Sequence, residues 1–125
     1  MSGITDLTAA ALKKHPLPEI GAGDKNERGS VLIIAGSRDV PGAALLCALG
    51  AMRAGAGRLQ IATVDTVAPH LAMAMPEAMV VGLAQGRDGG FAPSTVKPLA
   101  ERAAKADAVV AGPGLQRGKV AEQLA

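Results

Sequence analysis

No tryptophan or tyrosine occurs in this 125-residue sequence, and Phe91 is its one phenylalanine. An interior without large rings must be filled by Ala, Val, Leu, Ile and Met, each burying less apolar surface than an aromatic. Hydrophobic residues make up 49% of the chain, and a chain of this length buries roughly two thirds of its unfolded surface on folding. One small, aliphatic-cored domain is therefore expected. Cysteine is almost missing too. A lone Cys47 excludes an internal disulfide framework and, set in an apolar segment, reads as a small buried core residue.

Concentrated charge is also lacking. The formal net charge is +2, the basic residues are scattered, and no aromatics interleave them. Nucleic-acid binding needs a concentrated basic footprint and stacking platforms, so that class is set aside. No basic segment leads into an apolar run, and no apolar stretch approaches the roughly 18 residues of a membrane span. A soluble cytoplasmic protein with no membrane partner is expected. His15 and His70 lie in unrelated segments, neither with a partner at metal-ligand spacing, so no metal site is read.

What the chain does have is alternation of strand and helix patterns. A lead-in helix is expected over residues 1–14, capped by Thr5 or Asp6 and ended by Pro16 and Pro18. A polar connector follows over 17–29. Residues 31–35 are continuously apolar, the pattern of a central parallel strand covered on both faces. A helix is expected over 43–54, with Leu45, Leu46, Leu49 and Met52 as its apolar face and Gly55 as its stop. Further strands are expected over 59–64, 79–83 and 108–111. Helices fall between and after them: one capped by Asp65 or Thr66 and running to Ala74, one from Ser94 to Lys105, and one starting at Arg117. The glycine-rich 84–93 segment reads as a surface loop, and Met73, Met75 and Met79 read as core filler. Strands alternating with helices predict an α/β fold with a parallel sheet and right-handed crossovers.

Two glycine loops carry the functional signal. Gly36-Ser-Arg-Asp-Val-Pro-Gly42 follows a strand and opens a helix, where first-turn amides lack intrahelical partners and the helix dipole favours negative charge. It is no P-loop, because Ala43 and Ala44 stand where that motif needs lysine and a hydroxyl. Taken alone it is equally a tight turn. Gly112-Pro-Gly114 also follows a strand, and both loops belong at the carboxyl edge of the sheet, where open α/β folds gather ligands. Glu77, at a strand entrance, reads more readily as a solvated loop acid than as a rim residue, and Lys25 more readily as a mobile connector lysine than as a phosphate ligand.

The blocks RGSVLIIAGSRDVPGAALLCALGAMRAGAGRLQIAT, Met75-Pro-Glu-Ala-Met79 and Ala111-Gly-Pro-Gly-Leu115 closely resemble the ADP/ATP-dependent NAD(P)H-hydrate dehydratases. The resemblance runs from about residue 25 to the end and implies a ribokinase-like fold. It implies a hydro-lyase of metabolite repair that returns hydrated NADH or NADPH to the normal cofactor. The nucleotide, ADP or ATP with Mg2+, would phosphorylate the ring hydroxyl and so make it a good leaving group. Carried onto this chain, the substrate-binding positions are Gly42, Ala43, Ala44, Gly112 and Gly114.

The family's later motifs are absent from the 125 residues, including the Gly-rich loop whose aspartate is the family's expected base. The resemblance therefore implies no catalytic residue here; the base is expected beyond Ala125. The domain plan is residues 1–24 as helix and connector, and 25–125 as the N-terminal part of a ribokinase-like domain cut short at its C-terminus. Such a part would carry the substrate half-site and be inactive alone, with homo-oligomerisation possible. The alternatives are a non-catalytic nucleotide-binding module and a truncated inactive fragment.

Overall fold

The computed structural model describes residues 6–16, 23–25 and 27–124. Thr5, Pro18, the 17–22 part of the connector, Asn26 and Ala125 lie outside the described residues. The elements run α1 (Ala9–Lys13), β1 (Ser30–Ile34), α2 (Gly42–Arg53), β2 (Arg58–Val64), α3 (Ala68–Ala74), β3 (Met79–Leu83), α4 (Val96–Ala103), β4 (Ala108–Ala111) and α5 (Lys119–Leu124). A single 3-10 turn, Pro93–Thr95, precedes α4. The alternation expected from the sequence is present in full.

Several helix starts differ from expectation. Thr8 caps α1, its hydroxyl accepting the Ala11 N–H at 3.1 Å, in place of Asp6. Val67 occupies the N-cap of α3 without a side-chain bond, while the Thr66 hydroxyl donates to Gln85. Thr95, not Ser94, leads into α4, and its buried hydroxyl donates to the Ala92 carbonyl at 2.7 Å. In α1 a threonine still caps the helix, two residues beyond Asp6. At α3 and α4 an acceptor outside the helix takes the threonine hydroxyl and leaves the start without a side-chain cap.

The four strands form one parallel sheet in the order β3-β2-β1-β4. β1 is central, pairing with β2 (Ile33 opposite Ile61) and with β4 (Ile33 opposite Val110). That position accounts for its unbroken run of apolar residues, since Leu32, Ile33 and Ile34 are all buried. Right-handed crossovers place α2 and α3 on one face and send α4 across to the other. The packing agrees: α2 lies against α3, β1 and β2, and α4 lies against β1 and α5.

β4 is the exception to the buried-strand pattern. All four of its residues are exposed, with Val109 at 42% and Val110 at 39%, because it lies at an edge of the sheet. At the other end of the sheet, β3 is half covered.

The helix expected to bury leucines buries alanines instead. Ala44 and Ala48 are fully enclosed, Leu45 and Met52 are half-buried, and Leu46 is 72% exposed. With small residues on the contact face, the helix can lie close against the sheet. Gly55, at φ +98°, ends α2 as expected. The Gly55 amide donates to the Met52 carbonyl and the Ala56 amide to the Ala51 carbonyl, the paired bonds of a Schellman stop.

Of the three methionines expected inside, only Met75 is buried; Met73 is 85% and Met79 56% exposed. Cys47 is partly rather than fully buried, and that burial pushes its thiol pKa up, away from a reactive thiolate.

Candidate functional site

Strand order decides where a ligand can sit. From β1 the chain moves outward through β2 to β3, then crosses back to place β4 on the other side of β1. The loops leaving β1 and β4 therefore diverge to opposite faces, and the crevice at their carboxyl ends is the topological switch point of the sheet. The loop after β1 carries Gly36 and Gly42, and the loop after β4 carries Gly112 and Gly114. The two loops expected to share a rim do so.

They do more than share it. The Gly36 amide donates to the Pro113 carbonyl at 2.8 Å. Gly114, at φ +70°, lies so close to the first loop that a Cβ there would stand 2.7 Å from Ala43 Cβ and 2.9 Å from the Val40 carbonyl oxygen. Gly36 itself has φ +78°, with Thr63 Oγ1 and Ala44 Cβ where its own side chain would project. Both glycines are required by backbone conformation and by close approach together.

Pro41 occupies the N-cap of α2 and supplies no side-chain acceptor. The first-turn amides of Gly42 and Ala43 accordingly point out of the helix end beside the crevice. Gly42 is exposed, Ala43 half-buried, and Gly112 exposed with open space around it. Ala44 differs: its side chain is in the core and its amide donates to the Pro41 carbonyl at 3.2 Å. The fully buried hydroxyls of Ser37, in the loop, and Thr63, on β2, find no hydrogen-bond partner among the described residues.

A third loop joins the rim, and the sequence reading missed its role. The 84–93 segment, expected as a plain surface loop, buries Gly89, Gly90 and Phe91. Its Gly89 carbonyl accepts the Arg38 N–H at 2.9 Å, and Gly90 packs directly on Gln116 of the loop after β4. The available signal was Phe91 itself, since the lone aromatic of a chain is rarely left in solvent. At this rim Arg38 is paired with Asp39 at 3.0 Å, which raises the Arg38 pKa and lowers that of Asp39 through the side-chain hydrogen bond and the charge pairing.

Other candidates fall away from the crevice. Glu77 precedes β3, so it lies at the amino edge of the sheet, opposite the glycine loops. The Lys25 backbone abuts Gly57 at that same amino edge, ahead of β2. His15 and His70 are both exposed. Among the described residues no group of His, Cys, Asp and Glu could hold a metal ion, and no helix is long and apolar enough to cross a membrane.

A three-layer parallel α/β fold with a glycine-lined switch-point crevice defines the class of open-sheet ligand-binding domains. The sequence pattern of the NAD(P)H-hydrate dehydratases matches residues 31–125, and the chain belongs to that family. It is 48% identical over 112 residues to an ADP-dependent (S)-NAD(P)H-hydrate dehydratase of Xanthomonas campestris, covering 90% of this chain and 38% of that protein. The Bacillus subtilis protein of the same name is 51% identical over 63 residues, which are 50% of this chain and 23% of that one.

Solved structures agree on a ribokinase-like fold. A ribokinase-like superfamily protein from Enterococcus faecalis aligns with TM-score 0.67 and 27% identity over 86% of this chain and 34% of that one. The ADP/ATP-dependent NAD(P)H-hydrate dehydratase of Bacillus subtilis, co-crystallised with ATP and Mg2+, aligns with TM-score 0.65 and 33% identity over 93% and 39%. The chain thus spans under two fifths of the length of these relatives.

Proposed function

We propose that this chain supplies the dinucleotide-holding half of an ADP- or ATP-dependent dehydration of hydrated NADH or NADPH. The observation that carries the reading is the seating of Gly114 against Ala43. It joins in one crevice the two segments that the family resemblance marks for substrate contact. The names of the Xanthomonas and Bacillus relatives support the activity.

In this reading the amides of Gly42 and Ala43, at the positive end of α2, hold anionic oxygens of the dinucleotide. Gly112 and Gly114 offer bare backbone, so the ligand approaches without side-chain obstruction. Ala44 fixes the helix end by its burial. Binding and orientation are this chain's share of the work; they set the ring hydroxyl where a phosphoryl group can reach it.

ADP or ATP with Mg2+ supplies that phosphoryl group when bound, but the described residues do not fit it. The 36–42 loop has no lysine or hydroxyl at its end, and among the described residues no carboxylate cluster could take the metal ion. No phosphoryl-transfer step and no catalytic residue is assigned here. The cytoplasm, where the reduced dinucleotides are used, is the compartment we assign, and residues 25–125 are the unit we read as the dehydratase-type domain.

Titration calorimetry on the 125-residue chain tests the reading. Hydrated NADPH is expected to bind, ADP with Mg2+ to give no comparable heat, and hydrated NADH to remain unconverted in the presence of ADP. Turnover by this chain alone, or binding of ADP in preference to the hydrated dinucleotide, would sink it.

A further inference from the structure

Beside the crevice, between the 84–93 loop and the loop after β4, lies a recess of about 310 Å³. Its floor is apolar, built on Phe91 and Leu115, and its walls carry Arg87, Arg117 and Lys119. The one carboxylate in the lining, Asp88, accepts the Gly90 N–H at 3.0 Å. Unlike Arg38, none of the three cations has a carboxylate within 4.0 Å among the described residues. Many surface cations are unpaired, but these three come from three places, the 84–93 loop (Arg87), the loop after β4 (Arg117) and the start of α5 (Lys119), and line one concavity.

We propose that this recess holds a phosphate dianion. Three cations against one carboxylate leave an excess of two positive charges, which matches a phosphate monoester carrying about −1.5 to −2 at neutral pH. A concave site with an apolar floor focuses that field better than an open surface. Arginine adds a planar fork of donors suited to phosphate oxygens.

The size argues for one end of a ligand. Sites for whole small molecules run from about 300 to 1,000 Å³, and this recess lies at the bottom of that range. Leu115 follows Gly114 directly, so a dinucleotide lying on Gly114 continues into the recess along the same loop. Two sources offer the same chemistry: a 2′-phosphate, present on hydrated NADPH and absent from hydrated NADH, and free inorganic phosphate. The first source rests on the function proposed above; the second does not.

The experiment compares hydrated NADPH, hydrated NADH and inorganic phosphate on the intact chain, at low and at high salt. The control is the double variant Arg117→Ala/Lys119→Ala, and Arg117→Lys is the charge-keeping control. Both altered positions are exposed, and circular dichroism checks the fold.

If the 2′-phosphate is the occupant, hydrated NADPH binds about tenfold or more tightly than hydrated NADH at low salt. That preference vanishes in the double variant, survives in Arg117→Lys, and leaves hydrated NADH binding unchanged. If hydrated NADPH and hydrated NADH bind equally but inorganic phosphate binds the wild type and not the double variant, the phosphate site stands with free phosphate as its source. If phosphate binds while neither dinucleotide does, the proposed function fails and the recess stands. Equal dinucleotide affinities with no phosphate binding overturn the inference and leave the proposed function intact, and no binding of any of the three overturns both.

Discussion

The Gly36 amide donates to the Pro113 carbonyl oxygen at 2.8 Å, tying the loop after β1 to the loop after β4 across 77 residues of sequence. β1 and β4 are hydrogen-bonded neighbours whose following loops part to opposite faces, so this bond spans the mouth of the crevice. Anything held there depends on how closely the two loops approach.

Gly114→Ala tests that approach directly. The new Cβ would meet Ala43 Cβ at 2.7 Å and the Val40 carbonyl oxygen at 2.9 Å, on a backbone at φ +70°. Loops must shift, and the combined strain and overpacking are expected to cost roughly 2–4 kcal/mol. Urea denaturation measures it. A loss under about 1 kcal/mol would mean that the loops yield freely. Dinucleotide binding is expected to fall as well, because the Ala43 end of α2 moves with the loop.

Gly50→Ala is the opposite case. Gly50 lies inside α2 with nothing within 4 Å of a Cβ and with no positive φ. Alanine adds helix propensity and removes freedom from the unfolded chain, so stability should rise by about 0.4–1 kcal/mol. The same denaturation curve, shifted to a higher midpoint, is the readout.

Thr63→Val examines the unpartnered hydroxyl beneath the Gly36 loop. Thr63 is fully buried, and no described residue bonds its Oγ1. A buried hydroxyl without a partner carries a desolvation cost of about 1–3 kcal/mol, which the near-isosteric valine removes. A gain in thermal stability is expected; a loss would reveal a bond from that oxygen to ordered water or ligand.

Asp107 gives the chain an acid-side pH dependence. Its Oδ2 accepts the Ser30 N–H at 2.7 Å and the Ser30 hydroxyl at 2.8 Å, clamping the start of β1 to the start of β4. These bonds, the backbone one first, hold its pKa below the ordinary carboxylate value. The stabilisation is therefore fully present above the unfolded value near about pH 3.9 and is lost as pH falls through the lower folded value. The melting temperature of the wild type should drop more steeply over that window than that of Asp107→Asn. Parallel slopes would remove Asp107 from the account.

How far the site could be read without a structure differs from residue to residue. Gly36 and Gly112 each follow a strand pattern, and in a parallel sheet every strand's carboxyl end lies on one edge, so a common rim was predictable. Their contact was not, since it requires β4 beside β1 and not beside β3. The place of the 84–93 loop was hidden for the same reason. Nothing local says that Gly90 packs on Gln116, or that Arg87 and Arg117 line one recess. The leucines of α2 misled because apolar spacing marks two overlapping stripes, and only close packing on the sheet selects the alanine one.

By itself the amino-acid order determined what is local. Apolar runs, helical spacing and glycine or proline breaks produce the sequence of elements, and the glycine at Gly55 ends α2 because only a residue without a Cβ readily takes that backbone angle. The family was also legible, in motifs read as strings. Tertiary structure alone decided the strand order β3-β2-β1-β4, the meeting of Gly36 with Pro113, the face on which α2 rests and the shared recess lined by Arg87, Arg117 and Lys119 beside Phe91. These arise from contacts between segments far apart in sequence, and such contacts are chosen by how well the assembled layers pack, a quantity that no short window of residues contains.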